Sequence, residues 1–473
     1  MEKIKLEKVN FTYPEGSKKA LEDISFSVNE GEFCLVSGAS AAGKSTLMKL
    51  LKAEIAPKGE LSGEIRVNGI AGYVSQNVSE SIVCDRVRSE LSFGLTGEGM
   101  SSGEAELLVA ETASYFNLES KLDSEISKLS GGEKQMVNLA AVMITKPDIL
   151  ILDEPCSQLD PVSAERFMNT VKRLHRDFKT TVIISEHSSE EVYYLADSVL
   201  LLEGGRLLIK DAPQCVLDFC KSTENKMLCS FPLKMRLASF EAKPAENGEK
   251  MPKTDLEAKG VFFAYEKGEG VLGGLDLSVF ENKINAVIGP NSSGKTTLLK
   301  VIAGVYKPLG GKVKTKKSVS MLPQNVFDLF TKDTCEEEIA FGEITSFLEI
   351  DEIKKQHPFD LSGGQAQRLA LAKVLETGAD IILLDEPTKG LDAVLKIKLG
   401  ELLGDLCKKG KTIVIVTHDT DFAGEYADYV SFLSKGRIIT TSGRREFFSR
   451  LNFYTTEISK LSAGKCAGLR DIL

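Results

Sequence analysis

The sequence predicts two copies of one α/β plan in a single chain, and three observations carry that prediction. Blocks of residues recur in the same order in both halves, apolar runs of strand length end in Gly-rich turns, and each turn is followed by good helix formers. A chain of 473 residues is long enough for each copy to have its own core. The expected boundaries are a first domain over 1–238, a linker over 239–256 marked by Pro, Gly and charge, and a second domain over 257–473.

Taken in order, Phe11-Thr-Tyr13 and then Ala20 to Val28 match Phe263-Ala-Tyr265 and Leu272 to Val279. The alternation reads as a strand pair leading to a third, apolar strand, Phe33 to Ser37 or Ile284 to Ile288. These strands run into Gly38-Ala-Ser-Ala-Ala-Gly43-Lys44-Ser45-Thr46 and Gly289-Pro-Asn-Ser-Ser-Gly294-Lys295-Thr296-Thr297, which fit G-x-x-x-x-G-K-[ST]. Glycines let backbone amides close around phosphate oxygens. The Lys supplies a point charge, and the Ser or Thr hydroxyl suits Mg²⁺.

Next come Gln76 and Gln324, each after a short strand, followed by the similar runs Val87 to Gly94 and Cys335 to Gly342. The words Leu129-Ser-Gly-Gly-Glu133 and Leu361-Ser-Gly-Gly-Gln365 read as helix N-termini whose bare amides favour an anion. Two apolar strands then end in Asp153-Glu154-Pro and Asp385-Glu386-Pro. Strand alternation aims one carboxylate at a cation and the next at the terminal phosphate. Further apolar strands end at His187 and His418, two of only four His residues, in matching positions suited to a γ-phosphate contact.

Composition narrows the remaining classes. A net charge of −9 and a pI near 5.4 argue against a duplex nucleic-acid clamp. Nine Cys without a Cys-x-x-Cys pair read as reduced thiols in a cytosolic chain. The N-terminus lacks a signal-like apolar segment, and no apolar run approaches the ~20 residues that span a bilayer.

Phosphate loop, Gln, Leu-Ser-Gly-Gly, Asp-Glu and His, in this order and twice over, resemble the ATP-binding cassette (ABC) ATPases, a branch of the P-loop NTPases. The resemblance implies domains with a RecA-like α/β core, an antiparallel β subdomain and a helical subdomain, packed head-to-tail as an intramolecular pseudo-dimer. One composite site would use Tyr13 on adenine, and Gly38, Gly43, Lys44, Ser45 and Thr46 on the phosphates of ATP. Ser45, Gln76 and Asp153 would serve Mg²⁺, Glu154 would be the general base and His187 would touch the γ-phosphate. Ser362, Gly363 and Gly364 would complete it. The mirror site would use Tyr265, Gly289, Gly294, Lys295, Thr296, Thr297, Gln324, Asp385, Glu386 and His418, completed by Ser130, Gly131 and Gly132. Thr296, Gln324 and Asp385 would be its Mg²⁺ residues. Asp160 and Asp392 match the loops that communicate between sites. Both Glu residues are present, so neither site looks inactive. Ala41-Ala42, Cys156 and Met136, the last opposite Arg368, set the first half apart.

The run Phe330 to Gly342 is similar to the cobalt and energy-coupling factor importers. That likeness implies an ATPase powering vitamin, precursor or metal-ion uptake from the inner face of the cell membrane. Its partners would be an integral membrane scaffold (T-type) subunit and a substrate-binding membrane subunit, with no nucleic acid. Arg86 to Phe93 and Thr334 to Phe341 would be the docking helices. The alternative is a soluble tandem ABC protein acting on the ribosome. Such factors carry a long basic helical linker, whereas Asp211 to Leu256 is mixed in charge and broken by Pro213, Pro232, Pro244 and Pro252. Lys460 to Leu473 reads as a frayed tail.

Overall fold

Runs of Ile, Val and Leu without alternation belong to strands buried on both faces, and such strands pair in parallel because crossover helices cover both sides. The computed structural model describes residues 1–14, 19–95, 100–186, 190–237, 242–243, 252–265 and 270–472. It divides into two units, Met1–Arg236 and Leu237–Leu473.

The first unit has an antiparallel sheet of β1 (Glu2–Thr12), β2 (Leu21–Asn29) and β4 (Glu60–Val67), in the order β2-β1-β4. Its second sheet contains β3 (Phe33–Gly38), β5 (Ala71–Val74), β6 (Ile149–Asp153), β7 (Thr181–Ser185), β8 (Ser198–Glu203) and β9 (Arg206–Asp211). The order is β5-β6-β7-β3-β8-β9, parallel except for the closing β8–β9 hairpin. Alternation along β6 sends Leu150 and Leu152 into a core with the helices Gly131–Met143 and Pro161–Phe178. Ile149 and Ile151 face a second core, shared with the antiparallel sheet and the helix Lys44–Leu50.

The second unit repeats the plan. Its antiparallel sheet is β10 (Thr254–Phe263), β11 (Leu272–Phe280) and β13 (Gly310–Thr315). Its mostly parallel sheet holds β12 (Ile284–Ile288), β14 (Val319–Leu322), β15 (Ile381–Asp385), β16 (Thr412–Thr417), β17 (Tyr429–Ser434) and β18 (Arg437–Gly443), ordered β14-β15-β16-β12-β17-β18. In both sheets the strands that end in the phosphate loop, the Asp-Glu pair and the His are neighbours. Their C-terminal ends therefore open on one crevice edge, where open α/β sheets bind ligands.

The units differ most after the Gln residues. A 15-residue helix, Ser102–Phe116, is closed at its start by a Ser101–Glu104 capping box, whereas the second unit has only Glu343–Phe347 there. The expected docking helices are short, at Val87–Phe93 and a single turn at Cys335–Glu338. Their shared pattern has an internal cause. Glu90 accepts from the amides of Val83 (3.1 Å) and Cys84 (2.7 Å), and Glu338 accepts from those of Thr331 and Lys332 (2.6 Å) while pairing with Lys373. A buried carboxylate holds the preceding loop in each unit, and Cys335 and Ile339 are core residues.

The expected frayed tail is packed. Asp471 receives a bidentate bond from Arg444 (2.8 and 2.6 Å) and the amides of Ala467 (2.8 Å) and Gly468 (3.1 Å). Thr420 donates to the Thr455 carbonyl (3.1 Å), and Arg470 donates to that of Ala427 (2.6 Å), so the segment grips the helix Thr420–Tyr426. Of the expected linker, Lys243 donates from its amide to the Asp471 carbonyl (2.8 Å), and β10 begins at Thr254. The remainder lies mostly outside the described residues. Asp471→Ala leaves the mostly buried Arg444 guanidinium without its counter-charge, with only the Gly424 carbonyl (2.8 Å) as a partner among the described residues, and is expected to cost about 3 kcal/mol. Urea unfolding of the full chain measures it, and a loss below about 1 kcal/mol would rule out this clamp.

Candidate active site

Both phosphate loops turn through left-handed backbone before their helices. Gly43 (φ 95°) and Gly294 (φ 101°) take a conformation costly for other residues. Ala41 (φ 60°) follows the course of Ser292 (φ 61°), so the unusual Ala41 leaves the path of the loop unchanged. Lys44 donates to the carbonyls of Gly38 (2.8 Å) and Ala39 (3.1 Å), and Lys295 to those of Gly289 and Pro290 (both 2.9 Å). Each ammonium thus closes its own loop, where phosphate oxygens could exchange for those carbonyls. The Tyr13 hydroxyl meets Thr46 Oγ1 at 3.0 Å and that of Tyr265 meets Thr297 Oγ1 at 2.8 Å. Phe11 and Phe263 stand edge-on to the two Tyr rings, which leaves the rings partly exposed beside the loops.

The carboxylates are held differently in the two units. Asp153 accepts from Ser45 (3.1 Å) and Ser185 (2.7 Å) on Oδ1 and from Tyr73 (2.9 Å) on Oδ2. The strand positions matching Tyr73 and Ser185 are Met321 and Val416, fixed by pairing to the neighbours of Asp153 and Asp385. Neither has a hydroxyl, and Asp385 Oδ2 is a buried oxygen without a partner among the described residues. Burial pushes Asp385 up to about 6, against a hydrogen bond from Thr296; burial also raises Asp153.

Glu154 (φ 46°) and Glu386 (φ 51°) both sit in the left-handed region, a strain that recurs at the same functional position in each unit. Gln76 donates to Glu154 Oε2 (2.8 Å), and Lys44 lies 3.8 Å from Oε1. Gln76 therefore touches the expected base, while Gln324 is exposed. Glu386 Oε2 receives the Thr417 hydroxyl (3.1 Å), the His418 amide (3.3 Å) and His418 Nδ1 (2.9 Å). Burial disfavours both charges of the Glu386–His418 pair, but their attraction prevails, holding Glu386 below and His418 above their ordinary values. At the position matching Thr417, buried Glu186 accepts from the Cys156 amide (3.1 Å). His187 lies outside the described residues.

Each signature word begins a helix through a reciprocal capping box. Ser130 donates to Glu133 Oε2 (2.9 Å), and Ser362 donates to Gln365 Oε1 (2.9 Å), while the amide three residues on returns to each Ser hydroxyl. Gly131 and Gly363 have open space where a side chain would stand. A Cβ on Gly132 would lie 2.8 Å from Ser163 Oγ, and one on Gly364 would lie 3.2 Å from the Gly390 carbonyl. Glu133, paired with Lys121 (3.1 Å), puts a carboxylate at the first helix end where the second has a neutral amide. The helices begun by Asp160 and Asp392 are capped by those side chains.

Tyr73, Ser185, Glu186 and Thr417 are site residues that motif reading missed. Their one signal is placement one to three residues from a motif on an apolar strand.

Comparison with known proteins fits this geometry. The ABC transporter family model matches residues 21–157 and 272–389. A chain of Bacillus cereus (strain ATCC 10987 / NRS 248) that carries the name ABC transporter ATP-binding protein is 34% identical over 96% of this chain and 93% of its own. The archaeal ribosome recycling factor aABCE1, solved with the ribosomal stalk protein aP1, is 24% identical with a TM-score of 0.67, covering 94% of this chain and 91% of that one. ABCE1 from a model of ribosome-bound archaeal Pelota and ABCE1 is 22% identical with a TM-score of 0.71, covering 97% and 86%. These solved chains follow both cassettes and are ribosome-associated. They overturn the expected energy-coupling importer, its membrane scaffold and substrate-binding subunits, and the expected lack of a nucleic-acid-containing partner. The physical reason is local: the run that suggested the importer branch is explained by the loop-holding carboxylates Glu90 and Glu338. Among the described residues no helix is long and apolar enough to cross a membrane. With the family model matched in both halves and a relative aligned along nearly the whole chain, this protein belongs to the ABC family and is a tandem two-cassette ATPase.

Proposed function

We propose that this tandem ABC ATPase works on the ribosome, using ATP binding and hydrolysis to drive opening and closing on a ribosomal complex. The supporting observation is that likeness to ribosome-associated chains continues across both cassettes instead of stopping at one. A net charge of −9 suits contact through ribosomal protein surfaces better than broad contact with the RNA backbone. The working compartment in this reading is the cytosol.

Within each cassette, Tyr13 or Tyr265 stacks on adenine and Lys44 or Lys295 takes the phosphates with its loop amides. Glu154 or Glu386 orients the attacking water and accepts its proton, while His187 or His418 meets the γ-phosphate. The fit to Mg²⁺ is best in the second cassette, where Asp385 Oδ2 is buried without a partner beside Thr296. Ser45 with Asp153, and Thr296 with Asp385, would hold the ion, with Gln76 and Gln324 at its margin. When bound, it offsets phosphate charge.

Glu154→Gln and Glu386→Gln are each expected to lower steady-state ATP hydrolysis by about tenfold or more, and wild-type turnover in either would sink the two-site reading. In co-sedimentation, the double variant with ATP should be retained on ribosomes and released without nucleotide. Recovery in the membrane fraction with none on ribosomes would overturn the ribosomal assignment. A third expectation concerns pH. A carboxyl raised from 3.8 in the unfolded chain to about 6 in the fold costs stability as pH rises through that window, and the cost persists above it. Without nucleotide or divalent cation, Asp385→Asn should therefore stabilise the second cassette near pH 7 by about 2 kcal/mol. The gain should vanish below about pH 4; a gain independent of pH in urea titrations would refute this cause.

A further inference from the structure

Strand pairing sets Ser185 opposite Asp153 and Val416 opposite Asp385. The two strand ends therefore align as Ser185-Glu186-His187-Ser188 and Val416-Thr417-His418-Asp419. The next helices align as Asp160-Pro-Val-Ser-Ala164 and Asp392-Ala-Val-Leu-Lys396. Two of the differing positions meet in the second cassette, where Lys396 Nζ donates to Asp419 Oδ2 at 2.6 Å between partly buried side chains. In the first cassette the matching residues are Ala164 and Ser188, and neither carries charge.

The ion pair acts on the residues around the expected base. The other oxygen of Asp419 caps the helix Thr420–Tyr426 through the Phe422 amide (2.9 Å). Its own amide donates to Thr417 Oγ1 (3.0 Å), and that hydroxyl donates to Glu386 Oε2 (3.1 Å), the oxygen that also meets His418. Lys396 stands one turn into the helix that Asp392 caps, and Asp392 accepts from the Leu395 amide (2.9 Å). A charge-assisted bond between two elements that are each hydrogen-bonded narrows the positions both can take.

We propose that Lys396 and Asp419 form a positioning pair present in the second cassette alone. The pair holds the turn of His418 against Glu386 and ties it to the Asp392 helix, so this half-site reacts from a preset geometry that the Glu154 half-site lacks. The inference rests on the roles given above to Glu386 and His418. The test is single-turnover ATP hydrolysis by the full chain in two backgrounds, Glu154→Gln and Glu386→Gln. In the first, Lys396→Met and Asp419→Asn should each slow hydrolysis by about tenfold while shifting ATP affinity less than about twofold, and Lys396→Arg should recover most of the rate. In the second background the same changes should alter the rate by less than about twofold. Asp419→Asn keeps an oxygen for the helix cap, which separates loss of the ion pair from loss of the fold. Equal slowing in both backgrounds, or an effect on ATP affinity alone, would overturn the pair. His418→Ala is the control: no slowing in the Glu154→Gln background would overturn the role of His418 and this inference with it. Slowing by His418→Ala but not by Lys396→Met would overturn this inference only.

Discussion

Each unit is organised around two adjacent carboxylates buried at the end of an apolar strand. Removing a carboxylate from water is expensive unless hydrogen bonds or an opposite charge replace its hydration. The sheet supplies these partners from neighbouring strand ends, which is why β6 lies beside β5 and β7, and β15 beside β14 and β16. The phosphate-loop lysines come from β3 and β12, one strand further on. Altering the register would move the hydroxyls, the lysines and the carboxylates out of reach together.

The two units solve this problem unequally. In the first, three hydroxyls saturate Asp153, and Gln76 reaches Glu154. In the second, Met321 and Val416 withdraw two hydroxyls and leave one oxygen of Asp385 open, while His418 neutralises Glu386. The first arrangement lowers the cost of the empty state. The second keeps that cost and gains from any cation that arrives. The signature helices differ in a compatible way, with Glu133 placing negative charge where Gln365 is neutral. An anion approaching the Gln365 helix end meets less opposition, so the resemblance of the two sequences conceals two electrostatic environments.

The phosphate loops, Asp-Glu strand ends and Leu-Ser-Gly-Gly turns were legible because their chemistry fixes residue types at fixed spacing. Tyr73 and Ser185 were not legible, since a hydroxyl on an apolar strand becomes functional only when sheet register turns it toward a carboxylate. The tail was misread for a related reason. Asp471 and Arg444 look like surface charge in sequence, yet each supplies the partner that lets the other be buried. Polarity along a segment does not report pairing across 27 residues.

The misreading of the partner has the deepest cause. A motif that touches ATP is constrained by ATP, whereas a surface that touches a partner is constrained by the partner, and a single sequence shows only the first kind plainly. The run carrying the Glu-x-x-Phe-Gly pattern invited a partner reading through its position after each Gln and its similarity to the importers. Its recurrence is accounted for inside each unit, where Glu90 and Glu338 satisfy consecutive loop amides that would otherwise be unpaired. Repetition between two halves of one chain is therefore evidence for a shared fold before it is evidence for a shared contact. Features that fail to repeat say more about how the two cassettes differ in use. Here they gather around one strand end, where Asp419 stands in place of Ser188 and the ammonium of Lys396 has come to meet it.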